Sequence, residues 1–459
     1  MKYPVAIILT FCLAATNLLA QPSGSLVNFA HLRHLTEKIM LQGDSVSIVH
    51  IYADAPNYNW TDAGDEGIAC VDDAARAAVV YLRDYELNGN EQSREQAKSL
   101  LRFVMKMETD DGAFYNFLNK DHSINKNGRT SFKSFGWWAV RGVWCMSLGS
   151  RVLRTSDSTF AMALQQGVER TFPHIDSLLL NDKKVRTIKG YRIPQWLLYE
   201  SGADATSELL LGLVEYCKVS PDLHVKHLIE SLAEGLMLMQ DGDITTYPYG
   251  VHRSWETMWH MWGNDQTQAL ASAGLLLRDT NMVNSAKREA QGFYSRLLID
   301  GFMKEMDVSD SSKVTQFDQI AYGVRSMSVG LLRLYDATHD RSYSIMAGLT
   351  ASWLLGDNVA HQVMYDSTSG RCFDGIRDSS SVNQNSGAES TIEALYTLVE
   401  LQKYPDVVKY IHFRKLNISS NAPTSFARYV NLAGGEESIG IELKGPRFRV
   451  FLIHPMIVH

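Results

Sequence analysis

The stretch Val71–Leu82, VDDAARAAVVYL, decides the fold, because its pattern returns five more times along the chain. Each copy begins in a polar or glycine-rich loop. It continues as a helix with small residues early and Leu, Val or Met later. The other copies are GWWAVRGVWCMSLG from Gly136, ESGADATSELLLGLVEY from Glu200, GNDQTQALASAGLLL from Gly263, FDQIAYGVRSMSVGLLRLYDA from Phe317 and NSGAESTIEALYTLVEL from Asn385. Their starts recur at roughly sixty-residue intervals, the signature of repeated supersecondary units.

Each of the first five copies is followed by a second amphipathic stretch, as at Gln92–Met107, Leu223–Met239 and Asn281–Leu298. Apolar residues there fall three and four apart, as in Leu228, Leu232, Leu236 and Met239. One helix is expected before the first copy, over Phe29–Leu41. The six listed helices are rich in Ala, Gly and Ser and poor in Lys, so they read as a buried inner ring. The alternating helices carry charge on one face, as in REQAKSLLRF from Arg94 and KHLIESLAEG from Lys226. Twelve helices in two concentric rings form an (α/α)6 toroid, an all-α fold class.

The barrel is assigned to residues 21–410. Residues 1–20 read as a secretory signal peptide: Lys2, an apolar run from Val5 to Ala15, then small or polar residues leading to Ala20. That run is too short for a permanent span, and a secreted or periplasmic protein is expected. Residues 411–459 read as a short β-rich tail, with strand-like runs at Phe426–Leu432, Ile439–Leu443 and Phe448–Ile453 and an apolar HPMIVH ending that hints at truncation.

A net charge of −7 in 459 residues argues against nucleic acid as a partner. Four cysteines follow the leader, Cys70, Cys145, Cys217 and Cys372, with spacing that matches no zinc pattern. Buried free thiols are the simpler reading for Cys145 and Cys217, and a Cys70–Cys372 disulfide is conceivable. No cofactor is expected.

In such a toroid the inner helices start at one end, so their first turns line one mouth. These starts carry Asp72, Asp73 and Arg76; Trp137, Trp138 and Arg141; Glu200, Asp204 and Glu208; Asn264, Asp265 and Gln266; Asp318, Gln319 and Tyr322; Asn385, Glu389 and Glu393. Helix capping accounts for any single Asp or Asn here. It does not require three carboxylates within Glu200–Glu208. Aromatic loops add Phe114 in DDGAFYNFL, Trp255 and its neighbours in TTYPYGVHRSWETMWHMWGN, and Asp374 in MYDSTSGRCFDGI. Aromatic faces beside carboxylates suit sugar rings, although Trp255, Trp259 and Trp262 also fit an apolar helix stripe. His252, Glu256 and His260, four apart, would share a helical face. That spacing does not match the protease zinc motif, and substrate hydrogen bonding or a buried network is the expected role.

The DDAAR segment at Asp72–Arg76 and the NSGAEST segment at Asn385–Thr391 resemble the six-hairpin glycosidase superfamily over roughly residues 30–405. The resemblance implies a carbohydrate substrate and a carboxylate entering the active site from the last inner helix. The superfamily also holds epimerases, phosphorylases and lyase-related toroids. The leading expectation is a glycoside hydrolase with one carboxyl as general acid and another as base or nucleophile. Glu389, expected to be partly buried by its small neighbours, is the acid and Asp73 the base, with Asp72 beside it. Glu200 and Asp204 form a reserve pair. Substrate contacts are expected from Arg76, Phe114, Trp137, Trp138, Trp255, Glu256, His260, Asp265, Asp318, Tyr322, Asp374 and Asn385. The alternatives are a polysaccharide lyase using Tyr322, His252, His260 and Arg325, and a non-catalytic glycan-binding barrel.

Overall fold

A computed structural model describes residues 25–421, 424–431 and 437–453. The expected leader and the HPMIVH ending lie outside the described residues. The six inner helices are Val71–Asn88, Trp137–Val152, Ala203–Cys217, Gln266–Leu277, Ala321–Thr338 and Ala388–Gln402. Each packs on the next and the sixth packs on the first, which closes the ring. Small residues make this possible. A Cβ on Gly212 would lie 3.0 Å from the Trp144 backbone, so the second and third helices touch nearly main chain to main chain. Every residue of Ala203–Cys217 is buried, as expected of a helix enclosed on all sides.

The outer helices are Glu91–Met107, Ser158–Arg170 continued by Phe172–Leu179, Leu223–Leu238, Thr280–Asp300 with a π-turn at Ala290–Tyr294, and Arg341–Ala351. The two rings differ at their N-termini. All five outer helices start on an Asn or Asp whose side chain accepts from a first-turn N–H: Asn90, Asp157, Asp222, Asp279 and Asp340. None of the six residues preceding the inner helices does so. Capping therefore explains the outer starts and leaves the inner carboxylates unassigned.

Three expectations need correction. The helix expected over Phe29–Leu41 ends at Leu35. Strands Thr36–Leu41 and Asp44–Val49 follow as a hairpin, turned by Gln42 and Gly43, both at positive φ, as tight hairpins demand. This hairpin packs on the outer helix Glu91–Met107. Second, the helix before the first copy packs on the sixth inner helix, as six pairs require, but it is short, and the sixth helix is itself followed only by Pro405–Val408 and a single turn at Lys409–His412. Third, Val251–Asn264 is not helical. Strands Val251–His252 and Met258–His260 flank a turn at Trp255–Met258, so neither the tryptophan stripe nor the shared His–Glu–His face exists. All four cysteines are separate buried thiols, and the conceivable Cys70–Cys372 bond is absent.

Four antiparallel strands, Phe413–Asn421, Thr424–Asn431, Ser438–Lys444 and Arg447–Ile453, form a sheet in sequential order. It lies against the fourth and fifth outer helices. Tyr429 Oη and Lys415 Nζ donate to the Leu298 carbonyl, and Phe448 stacks on Tyr343. No helix among the described residues is long and apolar enough to cross a membrane.

The close approach at Gly212 gives a direct check. Gly212→Leu is expected to lower unfolding free energy by about 1–3 kcal/mol or more through overpacking, read from urea midpoints at unchanged m-value.

Candidate active site

The first turns of the inner helices line one mouth of the barrel, and a cavity of about 350 Å³ opens there. Asp72, Asp73 and Arg76 reach it from the first helix, Arg141 from the second, Tyr322 from the fifth, and Glu389 and Ser390 from the sixth. Loops add Tyr52, Cys70 and Asp374. Asn385 fixes one of these loops: its Oδ1 accepts from Ala55 N and its Nδ2 donates to Asp54. Next to it Ser386 N and Ala388 N donate to the Ala53 and Ile51 carbonyls. These four bonds set Tyr52 against the start of the sixth helix.

Three arginines organise the floor. Arg76 donates to Asp73 at 2.7 Å, to Glu389 at 3.1 Å and to Glu393 at 3.0 Å. Arg141 donates to Asp72 at 2.6 Å, to Glu208 at 2.9 Å and to the Tyr322 hydroxyl at 2.9 Å. Arg325 donates to Asp265 and Glu393. The Tyr322 ring lies under all three guanidiniums, with Arg325 at 4.7 Å, Arg76 at 5.0 Å and Arg141 at 5.9 Å from its centroid. Its hydroxyl donates to Glu208. Five inner helices, and Asp265 directly before the remaining one, contribute to this network.

The inner N-termini are capped from elsewhere. Asn116 Oδ1 accepts from Val71 N, Tyr199 Oη from Trp137 N, the Ser254 carbonyl from Ala203 N, and Asp374 Oδ1 from Gly387 N. Carboxylates on those helices thus stay free to face the mouth.

The three carboxyl groups around the sixth helix are not equivalent. The Glu389 side chain is half exposed, at 48%, rather than shielded by its small neighbours. Asp73 is buried, and that burial raises its proton affinity; Arg76 opposes the shift and the Glu389 charge adds to it. Asp374 is raised too, first by burial, then by the Glu389 charge, against the hydrogen bonds from Ser390 Oγ and Gly387 N. Desolvation disfavours the charged form of a carboxyl, so Glu389 projects between two groups that hold protons more tightly than usual. The thiol of Cys70 donates to Asp73 Oδ2, while Asp374 Oδ2 has no protein partner among the described residues.

The remaining candidates scatter. Asp204 is buried and pairs with His260, whose ring stacks on Trp262 at 3.6 Å. His252 pairs with Glu289 in a separate buried network. Glu200 and Glu256 stand outside the cavity on either side of Arg186, at 4.0 and 3.0 Å. Asp265 is sealed under Arg325. Phe114 is fully buried, and Trp138 is buried with its indole N–H on the Phe114 carbonyl; both serve packing. Trp137 is half-buried beneath Arg141. Asp318 is exposed on a loop and does not line the cavity. Tyr52 and Tyr199 were not singled out by sequence; nothing in the local pattern of either distinguishes it from an ordinary loop tyrosine.

The raised carboxyl at Asp374 has a stability consequence. As pH climbs, the unfolded chain ionises this group near its ordinary value of about 3.9 while the folded chain still holds the proton. The wild type therefore loses stability until the folded group ionises as well. Asp374→Asn removes that loss. The variant should gain stability relative to wild type as pH climbs above about 4, measured by urea unfolding at a series of pH values.

No family model and no curated protein sequence matches the chain. Solved structures do. A sugar epimerase from a ruminal bacterium aligns with TM-score 0.55 at 13% identity, over 77% of this chain and 92% of that one. Cellobiose 2-epimerase from Bacillus thermoamylovorans aligns with TM-score 0.56 at 11% identity, over 81% and 95%. A D-mannose isomerase aligns with TM-score 0.54 at 10% identity, over 77% and 91%. The ring of inner helices, closed first to last, is the (α/α)6 barrel fold that these structures share.

Proposed function

We propose that the chain is a carbohydrate-active enzyme that hydrolyses a glycosidic bond in the cavity at Glu389. The observation that carries this reading is the half-exposed Glu389 carboxylate, held on Arg76 and flanked by two carboxyls of raised proton affinity. Glycoside hydrolysis needs this asymmetry, one carboxyl protonated and one ionised in a single site. Burial reverses the roles expected from sequence. Asp374 is the proton donor, because its Oδ2 is free toward the cavity; Asp73 lies behind it, occupied by Arg76 and Cys70. The glycosidic C–O bond breaks as the Asp374 proton passes to the leaving oxygen. In an inverting course Glu389 takes a proton from the water that bonds to the anomeric carbon as the C–O bond breaks; in a retaining course Glu389 bonds to that carbon, and water, giving its proton to the Asp374 carboxylate, then displaces Glu389. The anomer of the product, read by NMR, separates these two courses.

A second reading, epimerisation or isomerisation of a sugar, draws on the aligned sugar epimerases and D-mannose isomerase. Among the described residues no histidine lines the cavity, so a proton shuttle there would fall to the same carboxylates. The lyase alternative has less support: His252, His260 and Arg325 are buried, paired and outside the cavity, and Tyr322, which lines it, already donates to Glu208. Arg76 and Arg141, the arginines that line the cavity among the described residues, are both already paired with carboxylates. Export to the periplasm or medium, inferred from the leader-like residues 1–20, fits an extracellular glycan substrate.

The test is turnover of a panel of neutral oligosaccharides. Glu389→Gln and Asp374→Asn should each lower kcat by about 10²–10⁴-fold, with Asp73→Asn intermediate. Unchanged hydrolysis in Glu389→Gln would falsify the assignment. Sugar interconversion without bond cleavage would favour the second reading, and binding without any product would favour a non-catalytic barrel.

A further inference from the structure

Beyond the cavity the mouth continues into a second polar surface. The Trp137 ring lies 4.9 Å from the Arg141 guanidinium, which borders the cavity. Its backbone N–H donates to the Tyr199 hydroxyl at 2.9 Å. Tyr199 is 56% exposed and is followed directly by Glu200. Glu200 faces Arg186, and Arg186 reaches Glu256 at the tip of the Trp255–Met258 turn. An unbroken line of contacts thus leads from the cavity rim outward over the third and fourth inner helices.

This surface is held in costly backbone geometry. Tyr199, Glu200 and Glu256 all sit at positive φ, at 55°, 58° and 40°. The tip of a two-residue hairpin turn ordinarily carries Asn, Asp or Gly, and αL residues with long side chains cost free energy. Gly136 is needed as well, since a Cβ there would lie 2.1 Å from the Tyr199 hydroxyl. The result is an exposed aromatic ring beside two carboxylates and a guanidinium whose charges nearly balance. Sugar recognition uses these components: a ring face for the CH side of a pyranose, and charged acceptors and donors for its hydroxyls.

We propose that Tyr199, Glu200, Arg186 and Glu256 form a second sugar-binding platform, adjoining the cavity and holding the leaving-group side of a neutral oligosaccharide. The platform makes the substrate an oligosaccharide rather than a single sugar. Only the kinetic arm of its test rests on the hydrolase reading.

The test uses the full chain and two variants, with thermal unfolding as a check on the fold because Tyr199→Asn also removes the acceptor of the Trp137 N–H. Tyr199→Asn tolerates positive φ, and Glu256→Gln preserves shape. In the binding arm, neutral di- to hexasaccharides are titrated calorimetrically into Glu389→Gln with and without each platform change. Tyr199→Asn should weaken binding of the longer oligosaccharides about tenfold and of monosaccharides not at all. In the kinetic arm, KM for oligosaccharides should rise by a similar factor while turnover of a glycosyl fluoride, whose leaving group is a single atom, stays unchanged. Equal affinity with and without the platform changes overturns the proposal, as does failure of every oligosaccharide in the panel to bind. Platform-dependent binding without hydrolysis would leave the platform standing and remove the hydrolase reading.

Discussion

Buried arginine–carboxylate pairing across the barrel axis is the constraint on which the structure depends. Arg76, Arg141 and Arg325 are almost wholly buried, and each is satisfied by carboxylates from other inner helices. Charges taken from water are tolerated only when paired and hydrogen-bonded, and removing one partner of such a pair costs about 3–5 kcal/mol. The network therefore fixes the rotation of each helix about its own axis. A helix turned by one residue would carry its carboxylate about 100° away and strand a guanidinium. The floor of the cavity is the upper surface of this network.

The opposite mouth repeats the device. Arg83 is bridged to Glu215 and Glu400, Arg151 to Glu86 and Glu215, and Arg333 to Glu400 and Asp336. Of these cations Arg151 lies in the last turn of its helix, where the helix dipole favours it. Between the two charged layers runs a belt of Ala, Gly, Leu and Val, as at Ala77, Ala78, Gly142 and Leu210. The two ends differ in what their carboxylates are free to do. At the C-terminal mouth Glu215 takes three cations. At the N-terminal mouth Glu389 takes one and remains half in water.

The inner ring was legible because a helix enclosed on all sides must be built from small and aliphatic residues. DDAARAAVV, WWAVRGVWC and ESTIEALYT show this directly. The gathering of Asp72, Asp73, Arg76, Tyr322 and Glu389 at one mouth followed from the shared direction of those helices. Protonation roles were not legible. They depend on burial, and burial of Asp73 and Asp374 against exposure of Glu389 is set by loops distant in sequence, at Ile51–Ala55 and Asp374. Pairing was hidden for the same reason. Glu208, Asp265 and Asp204 look like site residues along the chain, and three-dimensional neighbours reduce them to partners of Arg141, Arg325 and His260. The hairpin at Thr36–Val49 was missed because alternation over six residues in an otherwise helical chain is a short signal. Its Gln42–Gly43 turn was the available clue.

A crystal structure of Glu389→Gln with a bound neutral oligosaccharide tests the central claim most directly. The account predicts a glycosidic oxygen within about 3 Å of Asp374 Oδ2 and an anomeric carbon facing residue 389 across the cavity. A saccharide bound away from Asp374 and residue 389, or seated at the opposite mouth among Arg83, Arg151 and Arg333, would contradict it.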